Sequence, residues 1–410
     1  MHTVKERFLR YVQIDTQADP FSDSVPSTAK QLNLSKELSK ELDAMGIEHE
    51  LSDGGYIYAS IPSNSPKNNV PAIFFCSHVD TAPDCSGTNV KPIVHSNYQG
   101  GSIVLPDDNE QVISEEKFPE LKDKHGHDII TASGLTLLGA DDKSGVASIM
   151  DAAYQLVNNP DIIHGDVKLF FTVDEEIGRG VTHAEMDKIG AKFGYTLDSG
   201  NIGSFEYENF SANGFEINIT GASAHPGYAK GKMESALKIA SEIVAKLPKD
   251  RLCPEATSGK EGFVHPSNIE GELGSAKIIF IIRDFDTAQL EKHENLLKEI
   301  THEVLENYPN SKAEFVSTHQ YRNMKDVIDD HMYIVDYAVQ AMKNLNLPAK
   351  IGSIRGGTDG SVLSHKGLPC PNLFSGQHGI HSKLEWTTVQ EMEAAVNTIV
   401  EICKITEQSA

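Results

Sequence analysis

Five side chains with metal-ligand chemistry each stand beside an apolar run: His78, Asp141, Glu176, Asp198 and His381. Imidazole and carboxylate together suit zinc and other borderline divalent metals. A carboxylate has two oxygens and can bridge two ions. Asp141 is the natural bridge, because it lies in the tight turn Gly139-Ala-Asp-Asp-Lys-Ser-Gly145 that opens a helix. Asp80 follows His78 by two residues, where its carboxylate can accept the other ring N–H, fix the tautomer and raise ligand basicity. The dipeptide Glu175–Glu176 is the most informative. A carboxylate held on a metal is a poor base, so a metal hydrolase needs a second one nearby to take a proton from water. An isolated Glu-Glu is usually two exposed acids in a turn. Beside four other ligands at strand ends it reads as a division of those two roles.

Other polar clusters carry less. His225, in Gly221-Ala-Ser-Ala-His-Pro-Gly227, is a lone histidine in a Gly/Pro turn, and its spacing alone assigns it no role. His125-Gly-His127 lies in a polar loop without a carboxylate at a strand end, so it is not read as a ligand pair. Arg355-Gly-Gly-Thr-Asp-Gly-Ser361 is glycine-rich but lacks the Lys-Ser/Thr ending of a phosphate-binding loop. An arginine there is better suited to clamping a carboxylate through two parallel hydrogen bonds.

These residues need strands and helices to hold them. Four segments read as strands ending in polar residues: Ala72 to Asp80, Asp166 to Glu176, Lys192 to Asp198, and Cys370 to Ser375, with His381 shortly after the last. Between the first two, Val146, Ile149, Met150, Ala153, Leu156 and Val157 fall on one helical face. Alternating strands and helices predict an α/β fold with a mostly parallel sheet flanked by helices, whose ligands bind at the carboxyl ends of the strands. The middle of the chain differs. Phe215, Ile217 and Ile219 alternate as in a strand, then come a helix from Glu234 to Leu247, strands at Glu261 to Glu272 and Ser275 to Asp284, a helix with Leu290, Leu297, Ile300 and Val304, and a strand with Ala313, Phe315 and Ser317. That β-α-β-β-α-β order predicts an inserted ferredoxin-like α+β domain. The expected domains are a catalytic domain in two parts, residues 1–210 and 321–410, and an insert over 211–320.

Bulk properties exclude several function classes. A length of 410 residues favours more than one domain. The net charge of −23 argues against nucleic acid and anionic membrane as partners. Cys76, Cys85, Cys253, Cys370 and Cys403 are odd in number and form no C-x-x-C pair, which fits a reducing compartment. The charged N-terminal stretch has no apolar leader and no run is long enough to span a bilayer, so the expectation is a cytoplasmic protein.

The motifs Ser77-His-Val-Asp-Thr-Ala-Pro83, Leu137-Leu-Gly-Ala-Asp-Asp-Lys143, Thr172-Val-Asp-Glu-Glu-Ile-Gly178, Ser223-Ala-His-Pro-Gly227, Ile282-Arg-Asp-Phe-Asp286, Arg355-Gly-Gly-Thr-Asp-Gly360 and His378-Gly-Ile-His381 span almost the whole chain. With them the sequence resembles the di-zinc aminoacylase/carboxypeptidase-like metallopeptidases, and among these the tripeptide aminopeptidases. The long polar insert between Cys85 and Leu135 belongs to that narrower likeness. The resemblance implies two zinc ions per chain, one on His78 and Asp198, the other on Glu176 and His381, with Asp141 bridging. It implies Glu175 as general base and then acid, Asp80 as the partner that orients His78, and a cis Asp141–Asp142 peptide. His225 would approach the scissile carbonyl, in relatives often from a partner subunit. Asn268, Arg283 and Arg355 would be lesser substrate contacts. The implied substrate is a short peptide, the implied assembly a homodimer through the inserted lid and dimerisation domain. A carboxypeptidase or N-acyl amino acid deacylase on the same scaffold is the alternative activity.

Overall fold

The computed structural model describes residues 2–410, which divide into two compact units. The larger runs to Tyr207 and resumes over Met324–Ser353 and Thr358–Ala410. The smaller comprises Glu208–Asn323 with Ile354–Gly357.

An eight-stranded sheet organises the larger unit. Its strands are β1 (Glu48–Leu51), β2 (Ile57–Ile61), β3 (Ile73–His78), β4 (Val167–Thr172), β5 (Phe193–Ser199), β6 (Ser204–Asn209), β7 (Lys350–Ile354) and β8 (Asn372–Phe374). They lie in the order β1-β2-β4-β3-β5-β8-β6-β7. The central strands β4, β3, β5 and β8 run parallel, whereas β1, β2 and β6 pair antiparallel. Strand β3 reads Ile-Phe-Phe-Cys-Ser-His and is buried throughout, as a strand covered on both faces must be. Helix α1 (Ala140–Asn158) supplies part of that cover, packing on β3, β5 and helix α2 (Val389–Gln408).

The insert between Cys85 and Leu135 forms elements of its own. Ile129–Thr131 pairs antiparallel with both Ile93–His95 and Trp386–Thr388. Tyr98, Ile103, Leu105, Ile113, Leu121, Ile129 and Trp386 close a separate apolar core beneath it.

The smaller unit is a four-stranded antiparallel sheet in the order Phe263–Gly271, Ser275–Asp284, Ser211–Thr220, Lys312–Tyr321. Two helices, Ala236–Ala245 and Thr287–Leu305, lie against it. Phe215, Ile217 and Ile219 point into the core with Ile239, Ile243, Ile278, Phe280, Leu297 and Val304, while Glu216 and Asn218 between them are less buried. The order is that of a ferredoxin-like fold. Residues 354–357 belong with this unit, because Arg355 lies over the rings of Phe210 and Phe263.

Candidate metal centre

The side chains singled out in the larger unit meet at the carboxyl ends of its parallel strands. His78 ends β3, Glu175 and Glu176 follow β4, Asp198 is the penultimate residue of β5, and His381 lies beyond β8. Asp141 stands at the start of α1, behind Gly139, whose φ of +84° suits a residue without a Cβ. Asp141 and Asp142 depart from helical angles and the peptide between them is cis.

Asp141 occupies the middle of the cluster. Its Oδ1 lies 3.1 Å from His78 Nε2 and its Oδ2 lies 3.5 Å from His381 Nε2. On the His78 side, Asp198 Oδ1 is 3.9 Å and Glu175 Oε2 is 4.0 Å from the same Nε2. On the His381 side, Glu176 Oε2 is 2.9 Å from Nε2. The donor atoms of His78, Glu175 and Asp198 all lie within 4.8 Å of one another, as do those of His78, Asp141 and Glu176.

The electrostatics are those of a cation site. Burial raises the Glu175 and Asp198 carboxyls well above their usual range, and Asp198 and Asp141 respectively add to it. Burial and the charge of Asp141 bring Glu176 to about 7. Hydrogen bonds to Asp141 and Glu176 raise His381 to about 11. Burial opposes protonation of His78, yet hydrogen bonds to Asp141 and Asp80 raise it well above the usual imidazole range. The cluster thus holds excess carboxylate that protons must neutralise, and Glu176 Oε1 is buried with no hydrogen-bond partner. A divalent cation would satisfy both the charge and that oxygen, so the residues present fit a metal.

A second layer fixes the first. His78 Nδ1 lies 3.2 Å from the Asp80 backbone carbonyl and 3.4 Å from its Oδ1, and the two carboxylate oxygens of Asp80 each accept a backbone N–H, from Glu175 and from Glu176, at 3.1 Å. One carboxylate therefore braces three members of the cluster. Sequence reasoning missed several partners. Asp84 Oδ2 lies 3.4 Å from His381 Nδ1, repeating for His381 what Asp80 does for His78. Gln377 Nε2 donates to Asp198 Oδ1 at 2.9 Å. Glu385, 1% exposed, accepts the amides of Leu138 and Gly139 at 2.7 Å and that of Asp141 at 2.9 Å. It ties the Asp141 turn to the segment carrying His381. The position of Asp84, six residues after His78, is the only local signal among these.

The remaining candidates lie in the smaller unit. His225 is exposed, and its Nδ1 accepts the Gly227 N–H at 3.2 Å. Asn268 is exposed on its strand. Arg283 donates to the carbonyl of Ile282 at 3.0 Å and lies over the Tyr321 ring at 5.2 Å. Arg355 donates to the carbonyls of Gly259 at 2.6 Å and Glu261 at 3.1 Å. In the larger unit, His127 Nδ1 meets Thr388 Oγ1 at 3.2 Å and stands outside the cluster.

The larger unit is thus a mostly parallel sheet with an imidazole and carboxylate cluster at its strand ends, interrupted in sequence by a ferredoxin-like insert. Residues 207–312 match the family described as the peptidase dimerisation domain. Solved structures share the fold. One is an aminopeptidase PepT from Bacillus cereus ATCC 10987, with TM-score 0.75, 24% identity and 98% of each chain covered. Another is a tripeptidase from Staphylococcus aureus, with TM-score 0.77, 22% identity, and 99% of this chain and 98% of that one covered. A dinuclear metal-binding peptidase of the M20 family from Bacillus subtilis aligns with TM-score 0.67 at 14% identity over 99% of this chain and 98% of that one. Among curated sequences, peptidase T of Geobacillus sp. (strain WCH70) is 46% identical over 99% of this chain and 98% of its own. Peptidase T of Bacillus thuringiensis subsp. konkukian is 45% identical over the same shares. The chain belongs to the peptidase T family, and is a hydrolase.

Proposed function

We propose that this chain is a tripeptide aminopeptidase that uses two zinc ions, one on His78 and Asp198, the other on Glu176 and His381, with Asp141 bridging. The observation that carries the reading is the split of Asp141, whose two oxygens face two different imidazoles. Metal ions held there supply Lewis acidity and lower the pKa of water. The chain's own residues do the rest. Glu175 takes the proton of the attacking water and returns it to the leaving amine. Burial raises its carboxyl well above the usual glutamate range, so its carboxylate binds a proton more tightly than an exposed one. Asp80 holds the His78 ring and, through two amides, the direction of Glu175. His225 meets the oxyanion. Because its Nδ1 accepts the Gly227 amide, the neutral ring carries its proton on Nε2 and presents a donor in advance of the reaction. Asn268, Arg283 and Arg355 contact the rest of the peptide.

The inserted unit, residues 211–320 in this reading, acts as lid and pairs two chains into a homodimer. No helix among the described residues is long and apolar enough to cross a membrane, and the five cysteines are free, which supports a place in the reducing cytoplasm. The test is one tripeptide in free, N-acetylated and C-amidated forms, given to enzyme before and after chelation. Release of the first residue from the free and amidated forms, lost on chelation and restored by zinc, cobalt or manganese, is expected. Cleavage of the acetylated form identifies a deacylase or carboxypeptidase instead.

A further inference from the structure

Glu175 and Glu176 sit in a three-residue turn, Glu175–Ile177, which is too short to hold its own direction. The residue before it, Asp174, takes φ +59° and ψ +24°, a left-handed conformation uncommon for a residue with a Cβ. Asp174 is 1% exposed, and its carboxylate is fully engaged by the N-terminal segment. Its Oδ2 accepts the Ser27 N–H at 2.7 Å, and its Oδ1 accepts the Ser27 hydroxyl at 2.5 Å and the Gln31 amide at 2.6 Å. The Asp174 N–H returns a bond to Gln31 Oε1 at 3.1 Å. Gln31 is fully buried and opens the helix Gln31–Met45. Beyond the turn, the Arg179 N–H closes on the Asp174 carbonyl at 2.9 Å.

We propose that Asp174, held by Ser27 and Gln31, is a positioning residue that sets the direction of both glutamates through the backbone, without touching metal or substrate. The inference rests on reading Glu175 as base and Glu176 as ligand. Gln31 bonds both the side chain and the N–H of Asp174, so one buried residue holds this backbone and its carboxylate together. The turn is thereby referenced to a helix rather than to the metals, and both carboxylates are aimed before any ion arrives. Asp80 accepts the next two amides and completes a clamp from the other side. Partners of this kind commonly shift metal affinity or activity by roughly 10–100-fold.

Two variants break the tie without replacing any residue of the cluster. Asp174→Asn tolerates the left-handed backbone but places an NH2 group where an acceptor is needed. Gln31→Met removes both bonds from the helix side at similar volume. Both are compared, as metal-loaded full-length chains of confirmed fold, with wild type and with Ser27→Thr, which keeps its two donors. Zinc retention is read by competition with a chelator, and kcat and KM on a tripeptide are read separately. The expected result is zinc affinity weakened and kcat lowered, each by roughly 10–100-fold, with KM within about twofold and Ser27→Thr near wild type. Asp174→Gly, which permits the backbone conformation and keeps the N–H bond to Gln31 but lacks the carboxylate, should behave as Asp174→Asn does. Wild-type zinc retention and kcat in folded Asp174→Asn and Gln31→Met overturn the proposal, as does a change confined to thermal stability. If Glu175→Gln keeps turnover and Glu176→Gln keeps zinc, the underlying reading fails. If those two behave as expected and only the Asp174 and Gln31 variants do not, this inference alone fails.

Discussion

Glu175 and Glu176 are adjacent in sequence but face different partners. Glu176 lies 2.9 Å from His381, whereas Glu175 approaches the cluster only at 4.0 Å from His78. In the proposed mechanism Glu176 holds metal and Glu175 carries the proton. Glu175→Gln should therefore keep its metal and lose turnover by about 10²–10⁴, the usual range for a lost general base. Glu176→Gln should instead lose metal, as read by elemental analysis beside kcat. The reverse pattern would exchange the two roles. The two left-handed residues near the cluster, Asp174 and His381, are both placed by contacts distant in sequence. Nothing in their local composition marks them.

At the scale of elements, two joints hold the centre. The first is the start of α1 against the strand ends. A Cβ on Gly145 would lie 2.3 Å from the Leu197 carbonyl, 2.4 Å from Asp142 Oδ1 and 2.8 Å from Ser77 Oγ. Gly145→Ala should cost about 1–3 kcal/mol by overpacking and disturb Asp141, which lies earlier in the first turns of the same helix. Chemical denaturation and metal content would report the two effects. The second joint is the N-terminus of α2. Thr388 caps it, and Glu391 in its first turn meets His378 at 3.0 Å and Lys124 at 2.5 Å, all of them buried. Burial opposes the Glu391 charge, but His378 and Lys124 overcome it and hold the pKa at about 2. A glutamate in the unfolded chain titrates near ~4.3. A lowered folded pKa means stability that is present above the unfolded value and lost as pH falls through the folded one. Glu391 should thus contribute stability above about pH 4.3 that disappears towards pH 2. Glu391→Gln should cost about 3–5 kcal/mol near neutrality and flatten the acid limb of a stability profile measured by denaturant titration. An unchanged acid limb would show that other carboxylates govern acid unfolding.

At the scale of the whole molecule, the residues of the proposed mechanism are divided between the two units. His225 belongs to the smaller unit and the metal ligands to the larger. His225→Ala should keep metal and bind substrate nearly normally, yet turn over far more slowly, because a donor to the oxyanion acts chiefly in the transition state. Should a partner subunit supply this histidine, mixing His225→Ala with Glu175→Ala under exchange conditions will restore part of the activity, since mixed dimers then hold one complete site. Absence of recovery despite proven exchange assigns His225 to its own chain. Near-normal turnover in the single variant removes it from the mechanism.

The sequence by itself determined what depends on short-range pattern. Continuous apolar runs ending in His78, Thr172 and Asp198 mark buried parallel strands, and period-two alternation at Phe215, Ile217 and Ile219 marks the half-buried sheet of the insert. Ligand-type residues at the ends of those runs stood out for the same reason, since a strand end is where a buried sheet gives way to polar chain. What only the tertiary structure decided is contact between segments far apart. Glu385 grips the Leu138 amide across 247 residues, Asp174 meets Ser27 across 147, and Trp386–Thr388 pairs with a strand of the polar insert. Each involves at most three residues of a segment with no repeat of its own, so no periodicity announces them. Buried amides and carboxylates must find partners, but which partner they find is settled by chain packing.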